Sequence, residues 1–186
     1  MDYPKRRRSD VTGVDLVGGT EVRQLEVIDY DPGWVERFTQ HERRLRLALR
    51  SQDIGIHHIG STSVPGLAAK PIIDILVTVA DITAEEDYLD PLLSVGYLLR
   101  VREPEHRLVR SPERDVHVHV YENDHEAVTN YLLFRNRLRA DADDRALYAG
   151  TKRALIAQGF DDMNAYSDAK TEVVLAILRR ARGDRT

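Results

Sequence analysis

Polar and apolar residues alternate in QLEVI at positions 24–28, a period of two that predicts a strand. The period then changes. Trp34, Phe38, Leu45 and Leu49 recur on one face of a 3.6-residue repeat with charged residues opposite, which predicts a helix over 34–49 lying on a sheet. Asp31 is placed to cap it, and Pro32 suits its first turn. A second strand is expected over 54–59, leading into GSTSVPGLAAKP, where Gly60, Pro65, Gly66 and Pro71 punctuate a loop with one short helical turn. The stretch 72–79, IIDILVTV, is β-branched and apolar almost throughout, the composition of a central strand covered on both faces. Residues 84–94 read as a helix on Tyr88, Leu89, Leu92 and Leu93. YLLRVR and HRLVR read as adjoining strands, and VHVHVY at 116–121 alternates strictly. Beyond 125 the period is helical over 125–139, about 143–158, and 164–182. Tyr166, Ala169, Val173, Ala176 and Ile177 line one face of the last, and Arg179, Arg180 and Arg182 complement its C-terminal dipole.

This order of elements is an α+β pattern, a mixed β-sheet with packed helices and a helical C-terminal region from about 125. The joint at 122–124 is too short for a linker, so 24–186 reads as a single domain and 1–23 as a flexible N-terminal segment. The 186 residues, 42% hydrophobic and 31% charged, are enough for one substantial core. With no cysteine, thiol nucleophiles, disulfides and zinc knuckles are excluded. Lys and Arg number 27 against 31 Asp and Glu, a net charge of −4 that disfavours non-specific nucleic-acid binding and leaves room for a local basic pocket. Lys5-Arg6-Arg7-Arg8 is followed by no apolar stretch of the kind a secretory signal carries, and no run is long enough to span a bilayer, so a cytoplasmic protein without membrane contact is expected.

Asp74 is the leading candidate for chemistry, because an ionised carboxylate in a central strand is costly unless paired, hydrogen-bonded or metal-bound. Parity puts it on the face of Ile72, Leu76 and Thr78. His117 and His119 share one face of their strand, roughly 6–7 Å apart, and can converge on a metal. His58 joins them if its strand lies next in the sheet. Without cysteine, Asp74, His58, His117 and His119 are the compact set of N and O ligands. Gly60, Ser61, Thr62 and Ser63 form a turn able to donate to phosphate oxygens, with Lys70 as a point charge nearby, although neither GxxxxGK[ST] nor GxGxxG is present. Arg135 and Arg139 are four apart on one helix face. Lys152 and Lys170 lie near Tyr148 and Tyr166, so these four residues can supply cations to a polyanion. Each also has a plain structural reading: surface ion pairs for the cations, a solvated face for the histidines, a hydrogen-bonded strand-end acid for Asp74. Trp34 and Phe38 read as packing residues.

From His58-Ile59-Gly60-Ser61-Thr62-Ser63-Val64-Pro65-Gly66-Leu67 through Ala69-Lys70-Pro71-Ile72-Ile73-Asp74-Ile75, the chain closely resembles the GrpB family, which is also found fused to dephospho-CoA kinases. The likeness continues through Tyr30-Asp31-Pro32 with Trp34, Gly96-Tyr97, His117-Val118-His119-Val120, Asn130, Phe134-Arg135, Leu138-Arg139, Tyr148 with Lys152, and Tyr166 with Ala169-Lys170, about residues 24 to 180. The resemblance implies a nucleotidyltransferase-like fold with Gly60-Ser61 as its glycine-serine turn and Asp74 as its first carboxylate. Leu76 stands where such centres carry a second acid, and His117 and His119 stand where a third is expected. The implied activity is transfer of a nucleotidyl group from a nucleoside triphosphate to a small acceptor. Gly60 to Ser63 hold the triphosphate and Asp74 holds a divalent metal, Mg²⁺ or Mn²⁺ ahead of Zn²⁺. His117 or His119 coordinates or exchanges a proton, and Lys70, Arg135, Arg139, Lys152 and Lys170 balance phosphate charge. A non-catalytic module for a nucleotide or phosphorylated small molecule, or a metal-dependent phosphoester hydrolase, are the alternatives.

Overall fold

A computed structural model describes residues 13–19, 26–50, 53–157 and 169–183 of the chain. Within the stretch read as flexible, residues 15 and 16 form a short strand, β1 (Asp15–Leu16). Of the strand expected at 24–28, Ile28 makes an isolated antiparallel bridge with Ala69, and residues 24 and 25 lie outside the described residues, as does the basic patch at 5–8. The next element is α1 (Gly33–Leu49), opened by Asp31 Oδ1, which accepts the Gly33 amide hydrogen at 2.8 Å. It closes at Arg50, whose left-handed backbone returns its amide to the Arg46 carbonyl.

The remaining elements follow the expected order: β2 (Gly55–Ile59), a 3₁₀ turn (Ser61–Ser63), β3 (Ile73–Val79), α2 (Glu85–Ser94), β4 (Leu98–Glu103), β5 (His106–Arg110), β6 (Val116–Glu122), α3 (Glu126–Ala140), α4 (Ala142–Ala157) and α5 (Thr171–Arg182). The part of the last expected helix at 164–168, with Tyr166, lies outside the described residues.

The strands form one sheet in the order β1-β4-β5-β6-β3-β2. Short turns join β4, β5 and β6 into an antiparallel meander, while β6 lies parallel to β3, with Asp74 opposite His117 and Leu76 opposite His119. This parallel seam is the middle of the sheet's apolar side. Ile73, Ile75, Val77, Val116, Val118 and Val120 are fully buried there with Trp34 and Leu45 of α1 and Leu89 and Leu92 of α2. Each such side chain removed from water contributes roughly 1.5–3 kcal/mol before chain entropy is subtracted. The same side encloses an ion cluster. Glu85, wholly buried, receives Arg102 Nε at 2.9 Å and Arg107 Nε at 2.7 Å.

The other side of the sheet is mostly polar. From α3, Val128 packs on Ile59 and Leu76, with Tyr121, Tyr131 and Leu132 at the margin. Leu138, Tyr148 and Ile177 of α3, α4 and α5 close over Val64 and Leu67 of the loop after β2. The helical tail is therefore packed on the glycine-serine loop.

Candidate metal and phosphate site

Strict alternation in β6 and the parallel register with β3 put Asp74, His117 and His119 on the same side of the sheet. His117 Nδ1 is 3.5 Å from Asp74 Oδ1 and His119 Nε2 is 3.9 Å from it. One ligand atom from each residue falls within 4.8 Å of the others. The imidazole centroids are 6.5 Å apart, within the range expected from a two-residue step. These gaps exceed a charge-assisted hydrogen bond and approach the roughly 3.4 Å between ligands of a tetrahedral ion with bonds of about 2.1 Å. The Asp74 side chain is 30% exposed. Burial pushes its carboxyl upward but is outweighed by His117 and His119, which hold it well below the usual carboxylate range.

Further histidine and tyrosine side chains extend the centre along the sheet. His119 Nδ1 lies 3.2 Å from His106 Nε2, and His106 Nδ1 lies 2.9 Å from Glu103 Oε2. The His106 ring stacks on Tyr121 at 4.6 Å, and burial followed by repulsion from His119 pushes its imidazole down to about 4, so it is neutral at pH 7. Tyr121 is hydrogen-bonded to Tyr131 of α3, whose ring stands 5.8 Å from His119. Sequence reading missed His106. The available signal was the alternation of HRLVR, which gives His106 the same parity as Leu108 and Arg110, opposite His119 and His117 across the hairpin.

His58 is not part of this cluster. Its strand is next to β3 as expected, but the antiparallel register sets His58 opposite Ile75, and so on the apolar side of the sheet. There it stacks on Phe38 at 4.7 Å, and its Nε2–H donates to Thr62 Oγ1, which in turn donates to the Ile72 carbonyl. Burial, opposed by Asp74 and reinforced by Arg139 and Arg135, pushes its imidazole down to about 4.

The glycine-serine turn touches the acid directly. Gly60 has φ 68°, and a Cβ there would stand 2.5 Å from Asp74 Oδ2, so both the backbone and the contact require glycine. Of the hydroxyls expected to meet phosphate, Thr62 is occupied as above and Ser63 donates to the Gly60 carbonyl at 2.6 Å. Ser61 faces the cations: Lys152 Nζ donates to its Oγ at 3.1 Å and to the Ala68 carbonyl at 2.6 Å. The two arginines grip the backbone of this region. Arg135 donates to the His58 carbonyl at 3.0 Å, and Arg139 donates through Nε and a terminal nitrogen to the Ser63 carbonyl. Their guanidiniums shape the turn, a role that i,i+4 spacing does not reveal.

Lys152 is buried against the Tyr148 ring. Burial, then repulsion from Lys170, Lys70 and Arg153, pushes its ammonium down to about 7. Burial also lowers Lys170, while attraction to Asp74 opposes that shift. Lys70, Lys152 and Lys170 thus lie close enough to influence one another beside the turn, a local concentration of positive charge. No helix among the described residues is long and apolar enough to cross a membrane.

A family model described as GrpB protein matches residues 24–180. A UPF0157 protein of Streptomyces coelicolor is 64% identical over 176 residues, 95% of this chain and 94% of that one. A UPF0157 protein of Halalkalibacterium halodurans is 41% identical over 160 residues, 84% of this chain and 82% of that one. The crystal structure of conserved protein GrpB from Enterococcus faecalis matches with a TM-score of 0.73 and 32% identity, over 84% of this chain and 96% of that one. The Cid1 poly(U) polymerase with bound MgGTP has a TM-score of 0.50 at 19% identity, over 66% of this chain and 42% of that one, a likeness of fold alone.

Proposed function

This chain belongs to the GrpB family and shares the fold of nucleotidyltransferases, and on that premise we propose that it transfers a nucleotidyl group from a nucleoside triphosphate to a small acceptor. The observation that carries this reading is the contact between Gly60 and Asp74. It sets the glycine-serine turn directly on a carboxylate flanked by imidazoles, with Lys152 on the adjoining serine. The residues do not fit the pair of magnesium ions that the fold implies: Asp74 is the one carboxylate of the cluster, and Leu76 occupies the position of a second.

A cation held by Asp74, His117 and His119 supplies positive charge to phosphate oxygens when bound. The rest is the work of the chain. The Ser61 hydroxyl and the Lys152 ammonium receive the β- and γ-phosphates, and Lys70 and Lys170 add charge around them. Arg135 and Arg139 hold the turn in place through its carbonyls. The acceptor oxygen attacks the α-phosphorus, the bond from that phosphorus to the bridging oxygen breaks, pyrophosphate leaves, and the acceptor proton passes to solvent.

The test is release of pyrophosphate and of phosphate from the four common nucleoside triphosphates with a mixed acceptor pool and a divalent cation. Pyrophosphate release that needs an acceptor and falls at least about a thousandfold in Asp74→Asn supports transfer. Phosphate release without an acceptor establishes a hydrolase instead, and saturable binding with no release establishes a binding module. An undiminished rate in Asp74→Asn rejects the mechanism.

A further inference from the structure

Glu103 stands at the far end of a line that ends on Asp74. An ionised carboxylate only accepts hydrogen bonds, so the 2.9 Å contact with Glu103 puts the hydrogen of His106 on Nδ1. In the neutral imidazole His106 Nε2 is then the acceptor in its 3.2 Å contact with His119, which donates from Nδ1. This turns His119 Nε2 toward Asp74 Oδ1, 3.9 Å away, with His117 Nδ1 at 3.5 Å from the same oxygen. Both separations exceed a charge-assisted hydrogen bond and suit two imidazoles sharing one cation with the carboxylate. A histidine whose second nitrogen is fixed through a hydrogen bond leading to a carboxylate is the arrangement that orients metal-binding imidazoles.

The nature of the donors also selects the ion. Magnesium prefers oxygen ligands and keeps its water, whereas imidazole nitrogen suits zinc, cobalt and their neighbours. We infer that Asp74, His117 and His119 bind one late first-row divalent cation of the zinc and cobalt class in place of paired magnesium, with His106 and Glu103 as positioning residues for His119. The order expected from sequence, Mg²⁺ or Mn²⁺ ahead of Zn²⁺, is thereby reversed. The inference deepens the proposed transfer reaction by naming its cation and rests on that reading only for the use of the site.

Equilibrium dialysis of the whole chain against Co²⁺, Zn²⁺ and Mg²⁺, with metal analysis and the visible spectrum of the Co²⁺ form, tests it without nucleotide. One Co²⁺ or Zn²⁺ per chain is expected, retained in a hundredfold excess of Mg²⁺ (on the order of 10² in concentration) and lost in Asp74→Asn. His106→Ala weakens Co²⁺ binding about 10–100-fold. Glu103→Gln changes a half-exposed side chain and leaves the fold intact; it weakens Co²⁺ binding about 3–10-fold and shifts the Co²⁺ bands. Two Mg²⁺ per chain, equal competition by Mg²⁺, no cation bound, or unchanged Co²⁺ affinity in both His106→Ala and Glu103→Gln would overturn it. Uptake of Co²⁺ with no pyrophosphate release sinks the transfer reaction and leaves the metal site standing. Pyrophosphate release driven by Mg²⁺ in a chain that takes up no Co²⁺ does the reverse.

Discussion

Glu85 and Asp74 are acids on opposite sides of the same sheet, and their partners differ in kind. Glu85 is sealed and meets the permanent charges of Arg102 and Arg107, the first through paired contacts of 2.9 Å to both carboxylate oxygens. Asp74 is partly open, and the neighbours nearest its Oδ1 are the imidazoles of His117 and His119. Both carboxyls lie below their ordinary values: burial raises each, and the arginines outweigh it for Glu85 as the histidines do for Asp74. A lowered pKa therefore does not distinguish the two; the identity and reach of the partners do. Guanidiniums at hydrogen-bond distance complete Glu85, whereas the imidazoles stand 3.5 and 3.9 Å from Asp74 Oδ1, beyond a charge-assisted hydrogen bond.

The contrast is sharpest in unfolding. Arg107→Met takes one of two guanidiniums from the buried Glu85, which keeps Arg102, and is expected to cost about 1.5–3 kcal/mol in urea denaturation. Asp74→Asn, at a partly open side chain whose imidazole partners stand off, is expected to cost less, about 1 kcal/mol. Equal losses in the two variants would place both acids in the same structural class.

Protonation separates the two sides next. His58 is pushed down to about 4 on the apolar side, so as pH falls below 6.5 the unfolded chain binds its proton first. The stability His58 contributes at neutral pH is lost progressively between about 6.5 and 4, by up to about 3 kcal/mol. His41, His57 and His106 are lowered by burial as well and act in the same direction as pH falls. Denaturation midpoints of His58→Gln measured across it should fall less steeply than those of the wild type; parallel profiles would mean that His58 is not held neutral.

A methyl group at Gly60 tests the contact between turn and acid. Gly60→Ala meets both the positive φ and Asp74 Oδ2, and should cost about 1–3 kcal/mol of stability together with catalytic rate. Full activity in that variant would show that the turn need not touch Asp74.

The smallest effect concerns Lys152. With its ammonium pushed down to about 7, it is largely neutral at pH 8, and a polyphosphate that favours the charged form should draw in close to one proton. Calorimetry of tripolyphosphate binding in two buffers of different ionisation enthalpy measures that uptake. Lys152→Met should abolish it and weaken binding about tenfold, or about 1.4 kcal/mol.

Periodicity made the elements from α1 onward legible, and parity alone put Asp74 among Leu76 and Thr78 and joined His117 to His119. Register was not legible. A strand's neighbour can be guessed from its composition, but a one-residue shift in pairing exchanges its faces, which is why His58 was expected beside Asp74 and stands behind it. The hydroxyls of Thr62 and Ser63 and the guanidiniums of Arg135 and Arg139 were read as ligand groups because sequence shows side-chain chemistry and conceals backbone carbonyls. The structure gives each of them a carbonyl acceptor. His106 escaped because its partners come from a hairpin register and from the neighbouring turn, both of which require coordinates.

The parallel seam between β3 and β6 also orders events in time. All the proposed ligands lie on these two strands, yet α2, β4 and β5 intervene between them along the chain, so the seam closes only after that excursion has been gathered in. Loop closure of this length precedes any gain from pairing, and parallel pairing is the slow kind. Trp34 of α1 packs on the apolar face of that same seam. In refolding, capture of Co²⁺ should therefore not precede the change in Trp34 fluorescence, and a newly made chain must join its two seam strands before it can hold its ion.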